Sequence, residues 1–308
     1  MKKKTIGIIG TGRHFFKRIY PILKTSKSFK IAGILNRKSK IKNFNNLNEK
    51  DFFKKKFDFI YIATPNKSHE KFIIKSLKNY SHVICEKPFV TRKKNIEKIL
   101  SLSRSRKKLV FESFAYLYHP VFEFVKKQIK SKTYGSIKYV ISNFRYPSLD
   151  SSDNKYKSKE GDGFYYDAAS YLVSLENYLF ENKKKENIKF NSQKIRNKVD
   201  LRGNIFINTS KFKRFYFWGE GQNYSNSLEI FLSKATIYIN KFFSKDDNEK
   251  IYIQIYTKKG VKIKVFKATN QFKKMFEKIY KNYSKIKFQE YNRKKIKNQL
   301  DLLFFYNI

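Results

Sequence analysis

The stretch that decides the fold is "TIGIIGTGRHFFKRIYPIL", residues 5–23. Its first six residues form an apolar run rich in β-branched side chains, which is typical of a strand buried on both faces. Gly10, Thr11 and Gly12 follow, and apolar residues then recur at helical spacing. The sequence therefore predicts a strand, a glycine-containing turn and a helix in immediate succession.

The same alternation continues through the first third of the chain. Four more strands are predicted, at "FKIAGIL" (29–35), "FDFIYIAT" (57–64), "HVICEK" (82–87) and "KLVFESF" (108–114). Amphipathic helical segments separate the later ones, so the pattern predicts βαβ units and a parallel sheet covered by helices. Ligands of such sheets bind beyond the carboxyl ends of the strands, where the turns after strands one, three and four should line one crevice.

The second half has a different pattern. From about residue 198, strand follows strand, as in "KRFYFWGEG" and "KIYIQIYTKKGVKIKVFKA", and two helices close the chain around 270–284 and 288–305. We therefore predict an α/β protein in two domains. Residues 1–115 form a Rossmann-type parallel sheet, and residues 116–308 form an α+β substrate domain with a mostly antiparallel sheet.

Composition limits the classes of function. The formal net charge is +44, but only 11 of the 69 basic residues are arginine. Arginine is the residue preferred for phosphate and base recognition, so we interpret the lysine excess as a compositional bias and expect no specific nucleic-acid partner. The single cysteine excludes an internal disulfide, and the histidines show no metal-ligand spacing. No leader or membrane-spanning stretch is apparent, so we expect a cytoplasmic protein without a membrane partner.

The turn after the first strand suggests a cofactor. A G-x-G that follows a strand and opens a helix is part of the dinucleotide fingerprint, although Phe15 stands where the third glycine belongs. At the end of strand two, an acid would hold the ribose of NAD and a base would accept the 2′-phosphate of NADP. Asn36 and Arg37 stand there, so NADP(H) is favoured and NAD(H) remains possible.

Together these motifs resemble the Gfo/Idh/MocA oxidoreductases. The resemblance rests on the G-x-G, on "TPN" followed by His69, on "EKP" at 86–88, and on "GDGFYYDAASY" at 161–171. It implies that Lys87, Asp167 and Tyr171 are catalytic. It also implies a set of cofactor-binding residues: Gly10, Thr11, Gly12, Arg13, His14, Asn36, Arg37, Thr64, Pro65, Asn66, His69, Glu86 and Lys87.

The resemblance further implies a reaction. Tyrosine at 171 is similar to the sugar ketoreductase, glucose–fructose oxidoreductase and dihydrodiol dehydrogenase branches. Reduction of a ketone needs a hydride and a proton, and a nearby ammonium such as that of Lys87 lowers the pKa of a tyrosine that donates the proton. We expect a sugar-like substrate, with a nucleotide-linked keto-sugar as the most specific choice, and a homodimer or homotetramer formed through the C-terminal sheet.

Two alternatives stay open. One is a cyclic diol dehydrogenase, and the other is a cofactor-binding regulator that has lost turnover. The second is motivated by departures from the family pattern at Phe15, Leu117, Asp162 and Ala169.

Overall fold

The computed structural model describes residues 2–36, 41–156, 163–180, 187–194 and 199–305. It contains two compact units. The first comprises Met1–Phe114 and Phe272–Leu300, and the second comprises Ala115–Gln271 and Asp301–Ile308.

A parallel five-stranded sheet forms the centre of the first unit. Its strands are β1 (Lys4–Ile9), β2 (Phe29–Leu35), β3 (Phe59–Ile62), β4 (His82–Cys85) and β5 (Val110–Glu112), in the order β2-β1-β3-β4-β5. Its strand residues are almost all buried, as expected for a parallel sheet whose two faces are both covered. The Rossmann-type sheet predicted from the alternation is confirmed.

Helices follow the strands. The chain after β1 forms a π-helical turn at Phe15–Ile19 and then α1 (Tyr20–Lys24). The other helices of this segment are α2 (Glu49–Lys54), α3 (His69–Lys78) and α4 (Ile96–Ser105). In α3, Phe72, Ile73 and Leu77 are buried, which is the apolar stripe expected of a helix that packs on a sheet.

A helix from the end of the chain also packs in the first unit. The sequence-based division placed all of 116–308 in the second domain, whereas 272–300 belongs to the first compact unit. The reason is the apolar face of α7 (Gln271–Asn282). Phe276 of that face contacts the rings of Phe29 and Tyr61, and Met275 accepts a hydrogen bond from Ser113.

The second unit is built on an eight-stranded sheet in the order β13-β12-β11-β10-β6-β9-β8-β7. The β6–β9 pair is parallel and the other pairs are antiparallel, so the predicted mostly antiparallel sheet is confirmed. The strands are β6 (Ile137–Arg145), β7 (Ile188–Lys194), β8 (Asp200–Asn208), β9 (Lys213–Gly219), β10 (Ser225–Leu232), β11 (Thr236–Asn240), β12 (Ile251–Thr257) and β13 (Gly260–Phe266).

The helices of this unit include α5 (Pro120–Ser131) and α6 (Ser170–Leu175). Residues 286–300 of the last helix, α8 (Ile286–Phe305), belong to the first unit, and its last five residues belong to the second. A π-helical turn at Tyr165–Ala169 precedes α6, and another at Glu176–Phe180 follows it. Glu176 is fully buried and lies 3.1 Å from the Arg214 Nε, while the Tyr216 hydroxyl donates to the same carboxylate. This buried ion pair ties the end of α6 to β9.

Candidate active site

The turn after β1 contains two glycines in different surroundings. Gly10 has φ +88°, and a Cβ on it would lie 2.6 Å from the Ala63 carbonyl oxygen at the end of β3. A Cβ on Gly12 would have no atom within 4 Å. Gly10 is therefore required by the fold, whereas the open space at Gly12 suits a ligand that approaches the backbone.

Two threonine hydroxyls at this edge of the sheet are buried and have no hydrogen-bond partner among the described residues. They are Thr11 Oγ1, after β1, and Thr64 Oγ1, after β3. Buried hydroxyls are almost always hydrogen-bonded in proteins, so this edge fits a polar ligand. Together with the space at Gly12, it is compatible with the pyrophosphate and nicotinamide ends of a dinucleotide.

The first helix starts irregularly at Phe15. Its side chain is fully buried at the position where the fingerprint has a glycine for close helix–strand packing. A π-helical turn begins at this residue. Single π-helical turns within helices are frequent at functional sites. With Phe15 at this position, the turn at residues 10–12 still follows β1 directly.

The predicted acid of "EKP" has specific partners. The Tyr61 hydroxyl donates to Glu86 Oε1, and His14 Nε2 lies 3.3 Å from the same oxygen. Burial would raise the pKa of Glu86, but His14, Tyr61 and the Lys87 charge lower it to about 2. Burial alone would lower the pKa of His14. The charge and hydrogen bond of Glu86 outweigh burial, so the pKa of His14 is raised. The structure thus brings together two of the predicted cofactor-binding residues.

His69 joins two of the predicted loops. It is fully buried, with Nδ1 2.9 Å from the Pro88 carbonyl oxygen and Nε2 2.9 Å from the Thr64 carbonyl oxygen. Burial lowers its pKa, and a neutral imidazole donates to one of these carbonyls at a time. Its contacts therefore position the turns after β3 and β4. The peptide bond between Lys87 and Pro88 is cis.

The other predicted cofactor-binding residues lie at turns of the same unit. Asn36 directly follows β2, Arg13 is exposed beside Gly12, and Pro65 precedes a short 3₁₀ turn at Asn66–Ser68. Arg37 lies outside the described residues, as does Asp162 in the second unit. The binding roles of these residues stay predictions.

Glu112, at the end of β5, was not predicted as a site residue. Its Oε1 accepts the Phe89 amide at 2.9 Å, one residue beyond Pro88, and its Oε2 is buried without a partner among the described residues. Burial raises its pKa to about 8, against the opposing effects of the Phe89 amide and the Lys87 charge. An acid within the apolar run "KLVFESF" was the signal that could have identified it.

The remaining predicted catalytic residues belong to the second unit. Asp167 lies in the π-helical turn before α6, where it accepts a hydrogen bond from the Tyr146 hydroxyl at 3.1 Å and pairs with Lys155 at 2.8 Å. Burial and the Asp167 charge raise the pKa of Tyr146. Sequence reasoning missed Tyr146 and Lys155, because both contacts join segments well separated along the chain.

Tyr171 lies in α6, where every other residue of the helix is buried. Its ring stacks on Phe144 with centroids 4.8 Å apart and also contacts Tyr116 and Phe243. These rings hold the tyrosine in a fixed orientation while its side chain remains half-buried. Lys87 belongs to the first unit and Tyr171 to the second, and their joint action stays a prediction.

Among the described residues, no group of three or more His, Cys, Asp or Glu side chains is placed to hold a metal ion. No helix in the described part of the chain combines the length and apolar character needed to cross a bilayer.

The two glycines give a matched test of the turn. We expect Gly10→Ala to lower the free energy of unfolding by about 1–3 kcal/mol, because its φ is positive and its Cβ would meet backbone. Gly12→Ala should change the free energy of unfolding by less than ~0.5 kcal/mol but weaken NADPH binding roughly tenfold or more. Urea unfolding and fluorescence titration measure the two quantities. Unchanged NADPH affinity in Gly12→Ala would contradict the assignment of this turn.

Glu112 should make stability depend on pH. Its folded pKa of about 8 lies above the ordinary value of 4.5, so between these values the unfolded chain has released a proton that the folded chain keeps. Raising the pH from about 5 to about 8 therefore lowers the free energy of unfolding of the parent. Glu112→Gln should remove the part of this decrease that comes from residue 112. Urea unfolding at both values tests this, with the exposed Glu97→Gln as control. Parallel pH profiles for parent and Glu112→Gln would refute the shift.

The family model GFO_IDH_MocA, described as "Oxidoreductase family, NAD-binding Rossmann fold", matches residues 4–114. The dTDP-3,4-didehydro-2,6-dideoxy-α-D-glucose 3-reductase of Actinomadura kijaniata is 22% identical over 287 residues, covering 87% of this chain and 84% of that protein. The trans-1,2-dihydrobenzene-1,2-diol dehydrogenase of Xenopus laevis is 23% identical over 131 residues, 42% of this chain and 39% of that protein.

A solved structure covers almost the whole chain. The 3-ketoreductase KijD10 from Actinomadura kijaniata, in complex with NADP and TDP-benzene, superposes with a TM-score of 0.88 at 19% identity, over 99% of this chain and 96% of that one. At this identity the likeness establishes the fold. The resemblance drawn from the motifs is confirmed: residues 4–114 match the family model of the Gfo/Idh/MocA oxidoreductases, which describes an NAD-binding Rossmann fold.

Proposed function

We propose that this protein is an NADP(H)-dependent reductase of a nucleotide-linked keto-sugar. The observation that carries the proposal is the similarity to the Actinomadura kijaniata 3-reductase along 87% of this chain. The dihydrodiol dehydrogenase match extends over only 42% of the chain, so the sugar substrate is preferred to a cyclic diol. A cytoplasmic location is part of the same proposal.

The chain's own residues donate the proton and orient the substrate. A reduced nicotinamide, when bound, supplies the hydride to the carbonyl carbon. Tyr171 then donates its phenolic proton to the carbonyl oxygen, which becomes the hydroxyl of the product. Lys87 favours the phenolate that this transfer leaves and hydrogen-bonds the carbonyl oxygen. Asp167, held by Tyr146 and Lys155, orients the substrate hydroxyls beside Tyr171.

The proposed proton transfer has a direct kinetic test. A panel of nucleotide-linked keto-sugars, free sugars and cyclic diols is screened by oxidation of NADPH and of NADH. With the active substrate, Lys87→Met and Tyr171→Phe should each lower kcat by roughly two to four orders of magnitude. The double variant should fall little further, because the two groups act as a unit.

Two exposed substitutions serve as controls for this test. Tyr291→Phe and Lys213→Met remove the same groups from the surface and should leave kcat within about twofold of the parent. If Lys87→Met or Tyr171→Phe behaves like its control on a good substrate, the proposed mechanism is wrong. Activity on cyclic diols alone, or equal use of NADH, would redirect the substrate or the cofactor assignment.

We also propose that the open face of the eight-stranded sheet is where two copies associate. The β11–β13 part of this face carries Tyr238, Tyr252, Gln254, Tyr256, Val261, Ile263 and Val265, which are cross-strand neighbours without a charged group among them. Val261, Ile263 and Val265 are each more than half exposed. In a chain of net charge +44, such a surface lets two copies meet around a two-fold axis without bringing lysines together.

Self-association through this face is tested by sedimentation. We expect the parent to form a dimer or tetramer and Val261→Lys with Ile263→Lys to be monomeric, because the substitutions place like charges on the patch. Ile286→Lys alters an exposed hydrophobic residue of the first unit and should keep the parental state. A monomeric parent at micromolar concentration would rule the surface out.

A further inference from the structure

Two arginines lie on either side of a glycine at one end of the eight-stranded sheet. Arg145 on β6 pairs with Gly219 on β9, and Gly219 pairs with Arg202 on β8. Residues in cross-strand register project from the same face, so both guanidiniums leave the sheet on one side. A Cβ on Gly219 would lie 2.2 Å from the Arg202 Cβ, so only a glycine fits between them.

Both side chains reach the same turn after β9. The Arg145 Nη1 donates to the Gln222 Oε1 at 2.9 Å. The Arg202 Nη2 lies 3.6 Å from the point where a Cβ on Gly221 would stand, and the Ser148 Oγ lies 3.4 Å from that point. Gly221 has φ +72°. One guanidinium and a hydroxyl thus lie beside Gly221, and the second guanidinium is hydrogen-bonded to the adjacent Gln222.

Neither guanidinium is paired with a carboxylate within the described residues. The Nε atoms of Arg145 and Arg202 are both buried without a hydrogen-bond partner there. The Nε and Nη2 atoms of Arg214 also lack a hydrogen-bond partner there, but Arg214 has the Glu176 carboxylate 3.1 Å away, and Arg104 and Arg293 both pair with Glu290. Buried donors of a charged group are costly when unpaired, so the arrangement favours an anion that the protein itself does not provide.

The spacing favours an anion with two charged groups. The arginines stand two strands apart, roughly 10 Å at the backbone, and their long side chains converge from there. A guanidinium binds a phosphoryl group through two parallel hydrogen bonds, so two guanidiniums match the two phosphoryl groups of a diphosphate. We propose that Arg145 and Arg202 bind the diphosphate of the nucleotide-linked substrate, an inference that rests on the proposed function.

The site lies close to the candidate catalytic residues of its unit. Tyr146, which donates to Asp167, directly follows Arg145, and the Gln222 amide donates to the Tyr146 carbonyl oxygen at 3.4 Å. Successive residues of a strand point to opposite faces, so the arginines and Asp167 lie on opposite sides of β6. A substrate that contacts the two arginines and Asp167 must therefore pass around the carboxyl end of β6.

The experiment measures binding of dTDP, inorganic pyrophosphate and thymidine by calorimetry. Arg145→Gln and Arg202→Gln should each weaken dTDP and pyrophosphate roughly tenfold or more and leave thymidine unchanged. Arg202→Lys keeps the charge but loses the planar fork, so it should recover only part of the affinity. Lys213→Gln removes one charge from the opposite end of β9, roughly 20 Å away, and should match the parent.

The outcomes separate this site from the proposed function. If the arginine variants and Lys213→Gln bind dTDP equally, binding reflects net charge and the site is wrong. If the variants change the oligomeric state and not dTDP affinity, the arginines meet a second copy and the proposal is again wrong. Arginine-dependent dTDP binding without turnover of any nucleotide-linked keto-sugar supports the site and refutes the reductase.

Turnover with an unchanged KM in both arginine variants supports the reductase and refutes the site. A parental urea-unfolding midpoint in each variant confirms that the chain is folded, because NADPH affinity reports on the first unit and the arginines belong to the second. Arg202→Lys gives a second, milder substitution at the same position, so a folding defect in one glutamine variant still leaves a decisive comparison.

Discussion

The parallel pairing of β1, β3 and β4 is the constraint on which the candidate site depends. It brings the carboxyl ends of three strands side by side, so turns that are far apart in the chain become neighbours at one edge. The tightest point is the contact of Gly10 with the Ala63 carbonyl group, where any side chain would push β1 and β3 apart. His69 then links the turns after β3 and β4.

Two acids near Lys87 show how the surroundings set a protonation state. Glu86 receives the Tyr61 hydroxyl and the His14 ring, and its pKa falls to about 2 despite burial. Glu112 receives one backbone amide, and burial raises its pKa to about 8. At neutral pH one is charged and the other holds its proton, so Lys87 stands beside a single negative charge. Two ionised acids would bind the lysine more strongly and hinder its contact with a substrate.

Local patterns predicted the elements, and long-range contacts determined the rest. The five parallel strands, the turn at Gly10–Gly12 and the change to an antiparallel sheet all followed from periodicity and turn residues. The packing of α7 in the first unit did not, because its apolar face fits any sheet and the partner is chosen by the tertiary fold. The partners of Asp167 were missed for the same reason, since Tyr146 and Lys155 precede it by at least twelve residues.

Because arginine is scarce in this chain, the position of an arginine is a better indicator of a specific interaction than the position of a lysine. Most described lysines are exposed or half-buried, with Lys245 and Lys295 as buried exceptions, whereas the described arginines repeatedly use the planar guanidinium. Arg214 is buried against Glu176 and the Phe212 ring, and Arg106 stacks on Tyr80 at 4.3 Å. When a compositional bias would have supplied lysine, an arginine marks a position that needs two directed hydrogen bonds or a stacked plane. Among the described residues, Arg145 and Arg202 have neither an acid nor a ring as partner, which is why we propose that they bind a ligand from outside the chain.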